Sequence, residues 1–228
     1  MGFIINSYLE TAIQPDYTID FSTTDGWTKV GTLINVDTAG AELDVTATLS
    51  STQHSEIYDL GSTLSNTIWS MTFKLHYITV TNGSDPNTYR NWFGLDKVAI
   101  GISTNTTHEF IGMYNQHGNA TDYVRLTNRN SANLDDSIGT ATTVTQVSGK
   151  DVFIRIIRQS ATLTLIQVYD DEALTNLLDS KTKAVASTLE SQRYLLCCDS
   201  VAATAGNPTL TFNIEASVKI YDGIDLSV

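Results

Sequence analysis

Alternation dominates this chain. From Trp69 to Val80 (WSMTFKLHYITV), Trp69, Met71, Phe73, Leu75 and Tyr77 share one parity, while Thr72, Lys74 and His76 take the other. That is the period of two expected of a strand with one buried face. Glu42–Leu49 repeats it, with Leu43, Val45, Ala47 and Leu49 against Glu42, Asp44, Thr46 and Thr48. The stretch Asp151–Asp171 (DVFIRIIRQSATLTLIQVYDD) departs from this pattern. Val152, Phe153, Ile154, Ile156 and Ile157, then Leu163, Leu165, Ile166, Val168 and Tyr169, place apolar side chains on both faces, with Gln159-Ser160-Ala161-Thr162 between them. β-Branched residues suit a pleated surface, and two apolar faces require cover on each side. These features predict a central hairpin on which the rest of the chain packs.

Shorter strands are predicted at Val30–Val36, Glu56–Leu60, Phe93–Ser103, Glu109–Tyr114, Asp122–Thr127, Tyr194–Asp199 and Leu210–Tyr221. Turn chemistry separates them at Asp25-Gly26, Thr38-Ala39-Gly40 and Gly61–Asn66. Asn82–Asn91, Asn115–Ala120 and Asn128–Gly139 are polar enough to be loops. Asp170–Leu178 (DDEALTNLL) is the one helix-like stretch, expected to make a turn or two as the chain leaves the hairpin. Repeats, Pro- or Ser-rich linkers and low-complexity tracts are absent. A single all-β sandwich over residues 17–228 follows, large enough to bury roughly 70% of its unfolded surface without metals or disulfides. Residues 1–16, with Phe3, Ile4, Ile5 and Tyr8 ahead of Pro15, are too apolar for a solvated tail. They form either an attachment arm that adds to a neighbour's sheet edge, with a small homo-oligomer as the outcome, or the first strand of the sandwich itself.

Charge narrows the partners. The net charge is −12, from 25 acidic and 13 basic residues. Such a surface repels phosphate backbones and anionic membranes, which argues against nucleic-acid binding. No apolar run reaches the length of a membrane span, and the N-terminus lacks the basic and apolar regions of a signal peptide. The two cysteines, Cys197 and Cys198, are neighbours. A strand sends them to opposite faces, so they are expected to be free thiols with at least one in the core.

The order of elements resembles the concanavalin A-like jelly roll of the laminin-G-like type. IDFSTTDGW, YDLGSTLSNTIWSMTFKLHY, WFGLDKVAIGIST, FIGMYNQHG, FIRIIRQSATLTLIQVYDD and ASVKIYDGIDL carry the resemblance across residues 17–228. It implies two antiparallel sheets and a family with glycan-binding, adhesive and glucanase members. Fold does not fix function in such a group.

A laminarinase-type glucanase carries Glu-x-Asp-x-x-Glu on a strand, because a retaining mechanism needs two carboxyls about 5–5.5 Å apart. Glu42-Leu43-Asp44 matches the first half, but Thr46 and Ala47 stand where the second Glu belongs. No glycanase activity is therefore expected, and no catalytic residue is assigned. Acidic turns at Asp135-Asp136, Asp170-Asp171-Glu172 and Asp222-Gly223-Ile224-Asp225 could offer oxygens to calcium, as in many relatives, but without the regular ligand spacing of a dedicated loop. His54, His76, His108 and His117 show no zinc spacing. Tyr89-Arg90-Asn91-Trp92 and Tyr114-Asn115-Gln116-His117 mix aromatic rings with amides and a guanidinium. Rings stack on sugars and amides pair with hydroxyls, so Tyr89, Arg90, Trp92, Tyr114, Asn115 and His117 are the candidate ligand-binding residues. The alternative is that Trp92 and Tyr114 are core residues at strand ends. Sequons at Asn82, Asn105 and Asn119 suggest surface loops.

The sequence thus points to a non-enzymatic surface protein. A domain of this type normally works outside a cell, yet no export signal is present. A virion protein reconciles the two, and MGFIINSYLE resembles the start of phage head-fibre or tail proteins. Capsid decoration, a fibre or a tail adhesin is the first expectation, with other virion proteins and a cell-surface glycan as partners at a virion surface or extracellular location. A free carbohydrate-binding module and a divergent glycanase are the alternatives.

Overall fold

The computed structural model describes residues 13–47, 52, 54–81, 89–99, 108–117, 123–129, 140–185, 189–199 and 209–227. Within them the chain is all β, arranged as two antiparallel sheets that face each other as a sandwich. One sheet contains β1 (Tyr17–Asp20), β3 (Ile34–Asp37), β4 (Glu42–Ala47), β6 (Trp69–Thr81), β11 (Lys150–Ser160), β12 (Leu163–Tyr169), β13 (Leu177–Ala184) and β15 (Thr209–Asp222). Its order is β13-β12-β11-β6-β15-β4-β3, and β1 also pairs with β15. The other contains β2 (Trp27–Val30), β5 (Ser55–Asp59), β7 (Tyr89–Asp96), β8 (Phe110–His117), β9 (Tyr123–Arg129), β10 (Thr140–Thr145) and β14 (Tyr194–Asp199), in the order β10-β9-β8-β7-β14-β5-β2. We call them the 8-stranded and 7-stranded sheets.

The predicted hairpin forms as β11 and β12, joined by Ala161-Thr162. β11 lies mid-sheet between β12 and β6, whereas β12 is covered at the edge by β13. Val152, Ile154, Ile156, Ile166 and Val168 face the other sheet. On the opposite face, residues 224–227 supply the cover. Arg155 donates to the Leu226 carbonyl at 2.9 Å, and Ser70 Oγ donates to the Ile224 carbonyl at 2.7 Å. The long strand at Trp69 is also as expected, with Trp69, Met71, Phe73, Leu75 and Tyr77 all buried in the core between the sheets. Alternation separates the two cysteines. Cys197 joins that core and Cys198 a second cluster on the far side of the sheet, both as free thiols.

Several boundaries move. Asp170–Leu178 is not helical: residues 170–176 turn, and Leu177 opens β13. Asp171 accounts for this. Its carboxylate accepts the Thr175 and Asn176 N–H groups and the Thr175 hydroxyl, a local bonding pattern that competes with a helix. Val30–Val36 is two strands in different sheets, because Gly31 at φ +79° breaks it. Gly31 also packs on His54, where an added Cβ would lie 2.0 Å from Nδ1. Tyr89–Asn91 and Asn115–His117, expected in loops, extend β7 and β8. The polar strand β10 carried too little apolar alternation to be seen. Phe3, Ile4, Ile5, Tyr8, the three sequons and Asp135-Asp136 lie outside the described residues.

Candidate functional site

The predicted ligand-binding residues come together as cross-strand neighbours on β7 and β8. Tyr89 pairs with His117, Arg90 with Gln116, Asn91 with Asn115 and Trp92 with Tyr114. Strand parity then divides them. Trp92 and Tyr114 point away from the sandwich interior, their ring centroids 4.8 Å apart, and Phe110 meets Trp92 edge-on at 5.8 Å. With Ile57, Leu196 and Cys198 they form a second apolar cluster, in which Trp92 is 6% and Tyr114 1% exposed. Asn115 turns inward instead. Its Oδ1 accepts the Tyr77 hydroxyl at 2.7 Å and Gln146 Nε2 at 3.3 Å. The backbones beneath the aromatic cluster meet unusually closely at the Gly94–Gly112 pair. A Cβ on Gly94 would lie 2.5 Å from Gly112 Cα, and one on Gly112 2.6 Å from the Phe110 ring. No other residue fits there.

The inner face of the same sheet holds buried acids. Burial pushes Glu56 up to about 7, against the pull of Lys29 across the β2–β5 pair. Asp199 is likewise raised to about 6 by burial, although its Oδ1 accepts the His54 N–H at 2.8 Å. Elsewhere the Asp96 and His108 side chains, both buried, meet at 2.6 Å.

The 8-stranded sheet has a different outer face. A groove of about 860 Å³ opens across β1, β15, β6 and β11, and the β12–β13 turn forms one wall. Outward-facing Thr72 and Lys74 come from β6, Phe153 from β11, and Glu215, Lys219 and Tyr221 from β15. Lys74 joins the strands, bonding Glu215 at 2.6 Å and Asp151 at 2.9 Å. Burial alone would lower the Lys74 pKa, but the bonds from these carboxylates outweigh it and raise it. Asp151 also meets His76 Nδ1 at 2.6 Å. Burial would raise its carboxyl, while the bonds from His76 and Lys74 hold it below the usual range.

The groove exists because β15 is bulged. Glu215 pairs with Lys74 and Lys219 with Thr72, so β15 advances four residues while β6 advances two. Ala216, inside the bulge, sits at φ +67°. Beyond it, Ser217–Ile220 pairs with β1 on the side where β4 had been. The sequence revealed Thr72 and Lys74 on the polar face of their strand and Phe153 among apolar residues on both faces of the hairpin. That β15 and β1 lie beside them had no local signature.

The remaining acidic features resolve into turns and one cluster. Asp222 accepts the Ser65 N–H at 2.7 Å and Asp225 the Ser227 N–H at 2.8 Å, so both tie the backbone. Asp37, Glu42 and Asp44 bring carboxylate oxygens within 4.8 Å of one another on β3 and β4. Burial, then the negative charges of Glu42 and Asp37, raise Asp44. This cluster contains the half motif predicted from sequence, with Asp37 from the neighbouring strand as third member, and its Glu42 pairs across β4–β15 with Glu215 at the groove edge.

The chain matches no family model and no curated protein. Its fold does match solved structures. The carbohydrate recognition domain of Emp47p superposes with a TM-score of 0.59 at 11% identity, covering 92% of this chain and 96% of that one. The exoplasmic/lumenal domain of VIP36, in a form bound to Ca2+ and Man3GlcNAc, gives 0.59 at 13% identity, covering 92% and 90%. Peanut lectin gives 0.54 at 13% identity, covering 90% and 97%. At these identities the likeness establishes a lectin-like jelly-roll fold.

Proposed function

We propose that this chain is a non-catalytic carbohydrate-binding module that works at an exposed surface. One observation carries the proposal: about nine-tenths of the chain follows the framework of carbohydrate recognition domains. The incomplete strand motif supports the non-catalytic part: Glu42 and Asp44 match its first half, and Thr46 and Ala47 stand where the second Glu belongs. For the setting, we propose a virion surface as decoration, fibre or tail adhesin, on the ground that the stretch MGFIINSYLE resembles phage head-fibre or tail proteins.

The purified protein is expected to bind oligosaccharides on a printed glycan array. It is expected to release no reducing ends from β-glucan, agar or carrageenan. Release that Glu42→Gln abolishes would replace this function with a divergent glycanase, and an array without any bound glycan would remove carbohydrate binding altogether.

A further inference from the structure

We propose that the bulge groove on the outer face of the 8-stranded sheet is the saccharide site and that it takes an uncharged oligosaccharide, an inference that rests on the carbohydrate-binding function proposed above. The groove's volume, about 860 Å³, falls in the range of sites that enclose a small ligand, roughly 300–1,000 Å³.

Both walls are held in unfavourable backbone. Ala216 on one side and Leu174 on the other adopt φ of +67° and +54°. A residue with a Cβ is strained in such a conformation, and these strains concentrate where a ligand is clamped. Neither wall is loose. The Asp171 carboxylate fixes the turn through Thr175 and Asn176, and Leu174 N–H bonds the Asp171 carbonyl at 3.1 Å. A wall fixed before binding spares the ligand the cost of ordering it.

The chemistry of the lining selects the ligand. Phe153 is half-buried in the groove floor with Lys74 Nζ 5.9 Å from its ring centroid, and the part of the ring left uncovered offers an apolar surface to the C–H face of a pyranose. Around it the Lys74–Glu215 pair and the Thr72 hydroxyl supply donors and acceptors. Sugar hydroxyls both donate and accept, and they bond strongly to charged partners. Among the described lining residues, Lys74 and Lys219 balance Glu172 and Glu215. Asp151, which also bonds Lys74, and Glu42, across from Glu215, make the surroundings net negative, which disfavours sialylated or sulfated chains.

The test uses an array of uncharged hexose oligosaccharides beside sialylated and sulfated ones, followed by titration of the best-bound compound. Wild type is expected to bind the uncharged set. Ala173→Arg, on the exposed turn, should plug the groove and weaken binding at least tenfold with an unchanged melting temperature. Phe153→Ala should weaken it comparably, and if that variant fails to fold, Ala173→Arg decides alone. Hydrogen exchange with the bound sugar should slow at residues 171–176 and 215–219. Undiminished binding by Ala173→Arg, with protection at β7 and β8 instead, would overturn the groove while leaving carbohydrate binding intact. Binding confined to sialylated or sulfated chains would overturn the ligand class. An array with no bound glycan would overturn the site together with the function.

Discussion

The outer faces of the two sheets follow the same alternation and reach opposite ends. On the 7-stranded sheet, Trp92, Phe110 and Tyr114 are packed against one another and against Leu196 and Cys198, and little of them meets solvent. On the 8-stranded sheet, the end covered by residues 224–227 is closed too, but the groove leaves Thr72, Lys74, Glu215 and Lys219 around the half-buried ring of Phe153. An aromatic residue in a polar stretch is therefore a poor guide to a ligand. A ring that fills its own cluster has spent its surface on packing, while a ring left beside paired charges still has surface to offer.

This contrast can be broken most directly by truncation. Trp92→Ala removes a side chain that is 6% exposed and should cost about 3–5 kcal/mol in urea unfolding, against roughly 1 kcal/mol for half-buried Phe153→Ala. If Trp92→Ala left stability nearly intact but abolished glycan binding, the roles of the two faces would be reversed.

The buried acids sharpen the comparison with pH. Glu56, on the inner face of the 7-stranded sheet, has its pKa raised from 4.5 to about 7 by burial. A raised carboxyl favours the fold in its protonated form, so its contribution is complete below 4.5 and is lost as pH rises through about 7. Glu56→Gln should therefore match wild type near pH 4 and exceed it by roughly 3 kcal/mol at pH 8 in denaturant titrations. Asp151, on the outer face of the 8-stranded sheet, has the opposite sign. Its carboxyl is held low, so its contribution is present above its ordinary value of 3.8 and is lost as pH falls below it. A larger gain for Glu56→Gln at low pH than at high pH would contradict the burial assigned to Glu56.

The smallest effect concerns the bulge. Ala216→Gly removes the Cβ that makes φ +67° costly but adds freedom to the unfolded chain, so stability should rise by no more than about 1 kcal/mol. A loss of more than that would mean the Ala216 methyl packs usefully in the groove wall.

Some of this molecule was legible in the sequence alone. Period-two alternation at Trp69–Tyr77 and Leu43–Val45 located strands and named the residues that fill the core. Apolar residues on both faces of Asp151–Asp171 marked the hairpin that is covered twice, and adjacency sent Cys197 and Cys198 to different clusters. These are local consequences of a pleated backbone, and they depend on nothing distant. The tertiary structure decided the rest. Asp170–Leu178 had helical composition, but a single carboxylate with nearby N–H partners turned the chain, and pairing with β12 made β13 a strand. Cross-strand pairing brought Trp92 and Tyr114, expected from sequence to bind a ligand, together in a buried cluster. The groove joins residues from the N-terminal segment, β6, β11, the β12–β13 turn and β15. It depends on a register shift that two strands far apart in sequence make only when paired, and no window along the chain contains both of them.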